Sequence, residues 1–249
     1  MSVLRVENLS KHFGGLEVLA SISFEVEAGE KLALIGPNGA GKSTLLNAVA
    51  GQSPVSGGEV YLDDRRITKM AAHRRLHLGL GRSFQVNNLF LELSVLDNML
   101  LALHGAERSH VHMVGTIENR RGLLHAAEEL LDRVGLAVRK HEILHTLSYG
   151  DQRLVELLCA FAAKPKLVLL DEPSAGLPTA EASTFADTIR KLAGTTTVLF
   201  CAHDMDLVFN LADTIMVLYG GHIIAKGVPK EISNDPKVRE IYLGSRASA

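Results

Sequence analysis

The chain has 249 residues, 47% of them hydrophobic, and a formal net charge of -2. That length suits one large α/β domain, or a core carrying a subdomain, with enough apolar residues for a sizeable interior. A nearly balanced charge excludes a polybasic surface for nucleic acid or anionic lipid.

The N-terminus, MSVLRVENLSK, has no apolar signal-peptide region. No run reaches the ~18 to 20 apolar residues that a membrane helix needs, so work at a membrane would require other chains to span it. Two cysteines, Cys159 and Cys201, lie in apolar contexts and read as reduced core thiols of a cytosolic protein.

Residues 3–9 and 16–27 alternate apolar and polar and predict strands. Phe13 lies in the loop between them; on its residues alone, packing against Leu16 or Val18 is the favoured reading. Lys31 to Ile35 predicts a short buried strand. It runs into Gly36-Pro37-Asn38-Gly39-Ala40-Gly41-Lys42-Ser43-Thr44. The spacing of Gly36, Gly41, Lys42 and Ser43 fits a phosphate-binding loop. Glycines let the backbone wrap an anion, and successive N–H groups point inward. Lys42 is placed to reach the β- and γ-phosphates, and Ser43 to offer its hydroxyl to Mg²⁺. The helix from Lys42, closed by Gly51, turns its positive end toward the anion.

Gly57 to Leu62 predicts a further strand, so a small antiparallel sheet stands beside the nucleotide core. From about 87 to 163 the pattern becomes helical. Leu93, Leu96, Leu100 and Leu103 fall on one face of the first helix. The stretch 104–122 is polar and holds His104, His110 and His112. With no supporting Cys or carboxylate cluster it reads as a solvated loop. Residues 123–136 predict an amphipathic helix. Ser148, in LSYGDQR, is placed to cap a helix that stops at Lys164-Pro165.

Lys166 to Pro173 predicts an apolar strand ending in Asp171 and Glu172. Ligands of α/β folds bind at the carboxyl ends of parallel strands. There, Asp171 is placed to hold Mg²⁺ and Glu172 to activate water. A second buried strand ends at His203, and 214–227 predicts a hairpin turning at Gly220-Gly221.

Together these pieces resemble the ATP-binding subunit of an ABC transporter over essentially the whole chain. LSYGDQR, followed some twenty residues later by LLDEP, is the most specific part of the likeness. The resemblance implies an α/β P-loop NTPase cassette with a RecA-like core, an antiparallel β-subdomain and a helical subdomain. The corresponding boundaries are 1–86 and 164–249 for core and β-subdomain, and about 87–163 for the helical part. It also implies that Phe13 stacks on adenine and that Gln85 ligates Mg²⁺ beside Ser43 and Asp171. Phosphates are held by the loop from Gly36 to Thr44, and by Ser148 and Gly150 of a second subunit. Glu172 becomes the general base, and His203 a γ-phosphate contact.

SKHFGGLEVL, RSFQVNNLF and the ending IYLG are similar to the subfamily that imports branched-chain and other hydrophobic amino acids. Urea or amide uptake subunits and the lipopolysaccharide-export ATPase look much alike, and a soluble ABC ATPase is the alternative in another class. The implied partners are a second cassette, transmembrane permeases and, indirectly, a solute-binding protein, with no nucleic acid. The implied place is the cytoplasmic face of the cell membrane. The chain departs from the general family pattern at Tyr149 and Asp151, where glycine and Gln or Glu are usual, and at Pro178, where an acid is usual.

Overall fold

The computed structural model describes residues 1–83, 89–106 and 121–244. In chain order come β1 (Ser2–Phe13), β2 (Leu16–Glu27), β3 (Lys31–Ile35) and α1 (Lys42–Ala50). Next are β4 (Gly57–Leu62), β5 (Arg65–Arg66), α2 (Ala72–Leu76) and β6 (Leu80–Arg82). Three helices follow, α3 (Val95–Ala106), α4 (Arg121–Arg133) and α5 (Tyr149–Phe161). Then β7 (Leu167–Asp171), α6 (Thr179–Ala193), β8 (Thr197–Cys201) and α7 (Met205–Leu211) alternate. The chain closes with β9 (Thr214–Tyr219), β10 (His222–Gly227), α8 (Pro229–Asn234) and α9 (Pro236–Gly244).

The strands form two sheets. One is antiparallel, ordered β2-β1-β4-β5; the other is ordered β10-β9-β3-β8-β7-β6, parallel except for β10. β9 and β10 turn at Gly220-Gly221, with Tyr219 opposite His222, as the sequence predicts.

A parallel sheet must be covered on both faces, and the residue alternation sorts its side chains accordingly. Leu32 and Leu34 of β3, Leu167 and Leu169 of β7, and Leu199 and Cys201 of β8 pack with α1 and the antiparallel sheet. Ala33, Ile35, Val168, Leu170, Val198 and Phe200 pack on the other side, with α5, α6 and α7. Each such leucine, fully buried, contributes about 1.5 to 3 kcal/mol of transfer free energy.

Two details of the predicted helices change, both at α3: it takes in residues 104–106 of the expected loop 104–122, and it starts later than the apolar spacing implies. α3 begins at Val95, so Leu93 precedes it and is 37% exposed; the buried face is Val95, Leu96, Met99, Leu100 and Leu103. The helix is started instead by Ser94, whose hydroxyl accepts from the Asp97 N–H at 3.1 Å. Ser148 does cap α5 as predicted, accepting from the Asp151 N–H at 3.2 Å.

The C-terminus of α1 is finished by a buried arginine that sequence patterning does not reveal. Arg75 is 2% exposed. It donates to the carbonyls of Ala48 (3.0 Å), Val49 (2.6 Å), Met70 (2.9 Å) and Thr68 (2.9 Å). A helix end leaves carbonyls without intrahelical partners, and a cation there also suits the helix dipole. Burial lowers the Arg75 pKa to about 10, so the guanidinium stays charged at neutral pH.

Candidate functional site

The loop from Gly36 to Gly41 joins β3 to α1 at the carboxyl edge of the parallel sheet. Gly36 is required there by space. A Cβ on it would lie 2.2 Å from the Leu218 carbonyl oxygen of neighbouring β9, at a φ of 157°. Gly41, at the N-cap of α1, offers no capping side chain, and the first turn carries no acid. The N–H groups of that turn are therefore available to an anion.

Lys42 is 7% exposed. Its ammonium curls back to the Gly36 carbonyl at 2.7 Å and the Pro37 carbonyl at 3.0 Å, so the cation sits inside the loop. Burial lowers its pKa, against the opposing pull of nearby acidic groups including Glu172 and Asp171.

Alternation along β7 puts Leu167, Leu169 and Asp171 on the α1 side of the sheet. Asp171 is 2% exposed, and the Ser43 hydroxyl donates to its Oδ1 at 3.4 Å. Its Oδ2 lies 3.7 Å from Arg82 Nη2 on β6 and accepts no hydrogen bond among the described residues. Burial raises the Asp171 pKa, and Arg82 pulls it back. A buried carboxylate oxygen with spare capacity beside a serine hydroxyl is a donor set that suits a hard divalent cation. Asp171 and Ser43 therefore fit the Mg²⁺ role expected of them. Gln85 lies outside the described residues.

Glu172 leaves the strand. Its φ is 49°, in the left-handed region, while its N–H donates to the Cys201 carbonyl at 2.9 Å. The side chain, about one third exposed, reaches His203, two residues beyond β8, with Oε1 2.9 Å from Nε2. Glu172, Ser174, Ala175, Leu177, His203 and Asp204 line one cavity. The two carboxylates thus have separate partners. Asp171 faces the phosphate loop, and Glu172 faces the histidine.

Phe13 is 54% exposed at the end of β1, with the Lys11 ammonium 4.7 Å from its ring centroid. The ring belongs to neither buried core: Phe13 stands opposite Leu16, itself 66% exposed, at the tip of the β1–β2 hairpin. An exposed aromatic face is what stacking on a base requires.

At the N-terminus of α5, the Ser148 hydroxyl donates to Asp151 Oδ2 at 2.7 Å, and the same oxygen pairs with Arg139 at 2.6 Å. The departure at Asp151 is therefore accompanied by a cation, which Asp151 shares with Glu142, 2.8 Å from Arg139 Nη2. Tyr149 is 44% exposed, and its hydroxyl donates to the Ala175 carbonyl at 3.0 Å. Sequence reasoning singled out Ser148 and Gly150 but missed Tyr149 and Arg153 as neighbours of the Glu172 turn. Of the two, only Tyr149 carried a signal, as a departure from the general family pattern.

A groove of about 300 Å³ lies beside this region, lined by Leu89, Phe90, Leu101, Glu156 and Cys159 among others. Phe90 is 59% exposed, whereas Leu89 is half-buried and packs on the core. Asn98 fixes the Phe90 backbone, accepting from its N–H at 2.8 Å and donating to its carbonyl at 3.0 Å. Val86, expected on the same rim, lies outside the described residues. No described helix is long and apolar enough to cross a membrane.

The profile of the ABC transporter family matches residues 19–175, and that of the branched-chain amino acid ATP-binding cassette transporter matches residues 222–248. The chain is 35% identical to the high-affinity branched-chain amino acid transport ATP-binding protein LivG of Salmonella typhimurium, over 97% of this chain and 98% of that protein. It is 33% identical to BraF of Pseudomonas aeruginosa, similarly described, over 97% and 98%. A solved ATP-binding cassette of an ABC transporter in its ADP conformation superposes with a TM-score of 0.88 at 32% identity. That match covers 98% of this chain and 99% of the other.

Proposed function

The chain belongs to the ABC transporter family, and we propose that it is the ATP-hydrolysing cassette of an importer for branched-chain or other hydrophobic amino acids. The hydrolytic reading is carried by one observation: two adjacent carboxylates are aimed apart, Asp171 at Ser43 and Glu172 at His203. The choice of solute is supported by relatives of matching length with that named activity, and by the match at residues 222–248.

Adenine stacks on Phe13. The N–H groups from Asn38 through Thr44, with Gly36, Pro37 and Ala40 shaping the turn, receive the phosphates. Lys42 exchanges its contacts with the Gly36 and Pro37 carbonyls for phosphate oxygens. Ser43, Asp171 and Gln85 would hold Mg²⁺, which when bound offsets charge on the β- and γ-phosphates. Glu172 accepts the proton of the attacking water as its oxygen bonds to the γ-phosphorus. The bond from that phosphorus to the bridging oxygen breaks, and ADP leaves. His203 holds the Glu172 carboxylate and contacts the γ-phosphate.

Ser148 and Gly150 of a second cassette close the site from the opposite side with a helix N-terminus. The core and β-subdomain comprise 1–86 and 164–249, and the helical subdomain about 87–163. The groove at Phe90 receives a helix of the permease, with the cassette at the cytoplasmic face of the membrane.

The test is a Mg-ATPase assay paired with purification from native membranes. Lys42→Ala should lower ATP affinity or turnover by about ten-fold or more, since it removes a charge-assisted contact. Normal binding and hydrolysis in that variant would remove the phosphate-loop reading. Permeases and a leucine-binding protein should copurify. A urea-specific binding protein in their place would redirect the solute, and no membrane partner at all would favour a soluble ATPase.

A further inference from the structure

Glu172 holds a left-handed backbone conformation, which a residue with a Cβ keeps only where its surroundings enforce it. Its own turn supplies part of the constraint, since the Ala175 N–H donates to the Glu172 carbonyl at 3.0 Å. The rest comes from α5. Arg153 Nη2 donates to the Glu172 carbonyl at 3.2 Å and to the Ala175 carbonyl at 3.3 Å. The Tyr149 hydroxyl, one helical turn earlier, donates to that same Ala175 carbonyl. Its ring lies against Gly176, where a Cβ would approach Cε1 to 2.9 Å.

The guanidinium cannot swing away. Its Nη1 pairs with Glu156 at 2.6 Å, and both side chains are about nine-tenths buried. The Tyr149 ring covers it on another side, 5.7 Å from ring centroid to guanidinium carbon. A fixed fork of donors on a rigid helix is suited to setting the direction of carbonyls. The carbonyls it sets belong to the turn from which the Glu172 side chain departs.

We propose that Arg153 and Tyr149 are positioning residues for hydrolysis: they lock the turn after β7 and thereby aim the Glu172 carboxylate at the attacking water. The proposal rests on Glu172 as the general base. It assigns no contact with ATP to either residue. Their loss should therefore lower kcat and leave KM for ATP in place.

Tyr149→Phe removes one hydroxyl from an exposed side chain and should lower kcat about three- to ten-fold, the worth of one hydrogen bond. Arg153→Met alone would leave Glu156 buried and unpaired. The double variant Arg153→Met/Glu156→Met removes both charges at similar volume, and its kcat should fall about ten-fold or more. A structural role would lower the unfolding midpoint and leave kcat per folded molecule intact. In a Glu172→Gln background, both changes should leave the residual rate unaltered, because they act through the group already lost.

Wild-type kcat in folded Tyr149→Phe and in the double variant, beside a slow Glu172→Gln, overturns the positioning and leaves the base assignment standing. So does a raised KM at unchanged kcat, or a further loss in the Glu172→Gln background. A wild-type rate in Glu172→Gln removes the base, and the positioning falls with it. If the double variant does not fold, Tyr149→Phe decides alone.

Discussion

Asp171 and Glu172 share a peptide bond and almost nothing else. Asp171 is the last strand residue, buried, with Ser43 and Arg82 around it. Glu172 is one third exposed and held by its backbone at φ 49°. Glu172→Gln keeps shape and removes the base, so hydrolysis should fall by about 10² to 10⁴ while ATP binding survives. Asp171→Asn should weaken Mg²⁺-dependent nucleotide binding instead, and a titration of ATP affinity against Mg²⁺ separates the two. Equal behaviour of both variants in that titration would remove the division of labour. The sequence locates this pair well, because an apolar run ending in acids is a strong strand-end signal. It cannot locate the left-handed turn. Glutamate has no preference for that conformation, and beyond its own turn the constraint comes from Cys201 and Arg153, distant in sequence and, for Arg153, dependent on helix orientation. Phe13 differs: an aromatic residue near a turn reads as core, but as the last residue of β1 it lies at the exposed tip of the β1–β2 hairpin, opposite Leu16.

Among the elements, α1 shows what patterning reads and what it misses. Its start at Lys42 and its stop before Gly51 follow from loop glycines, which carry their conformational demand in the residue type. Its carboxyl end depends on Arg75, which looks like any surface arginine in AAHRRLH. Its neighbour Arg74 is indeed exposed, and only the hydrogen bonds of Arg75 to the last carbonyls of α1 distinguish them. Arg75→Met should therefore lower stability by about 3 to 5 kcal/mol, because it leaves several buried carbonyls without donors. Arg74→Met should change it by less than about 0.5 kcal/mol. Urea denaturation of both variants checks this, and equal midpoints would mean that water replaces the guanidinium at no cost. The boundary of α3 has a similar origin. Leu93 continues the apolar period, but the Ser94 cap and the pairing of Ser94 with Ile143 start the helix after it.

At the scale of the whole molecule, the phosphate loop and the N-terminus of α5 are both positive helix ends; the first turn of α1 carries no acid, whereas that of α5 carries Asp151. ATP shared between one cassette and the α5 terminus of another would join them, and hydrolysis would release the joint. Asp151 bears on this, since a carboxylate near the incoming γ-phosphate would repel it. Arg139, shared between Asp151 at 2.6 Å and Glu142 at 2.8 Å, offsets part of that charge, and the Ser148 hydroxyl can exchange Asp151 for phosphate. In Glu172→Gln the joint cannot be released, so Mg-ATP should shift the protein to a stable dimer on size-exclusion chromatography, and ADP should not. Adding Arg139→Gln leaves Asp151 unbalanced. The dimer should then need several-fold more ATP to form, and added salt should narrow the gap by screening the repulsion. If Glu172→Gln is inactive yet stays monomeric with Mg-ATP, even beside its proper partner cassette, the shared-nucleotide arrangement is wrong. If it dimerises with the same ATP requirement whether or not Arg139 is present, the charge at Asp151 plays no part in closing the site.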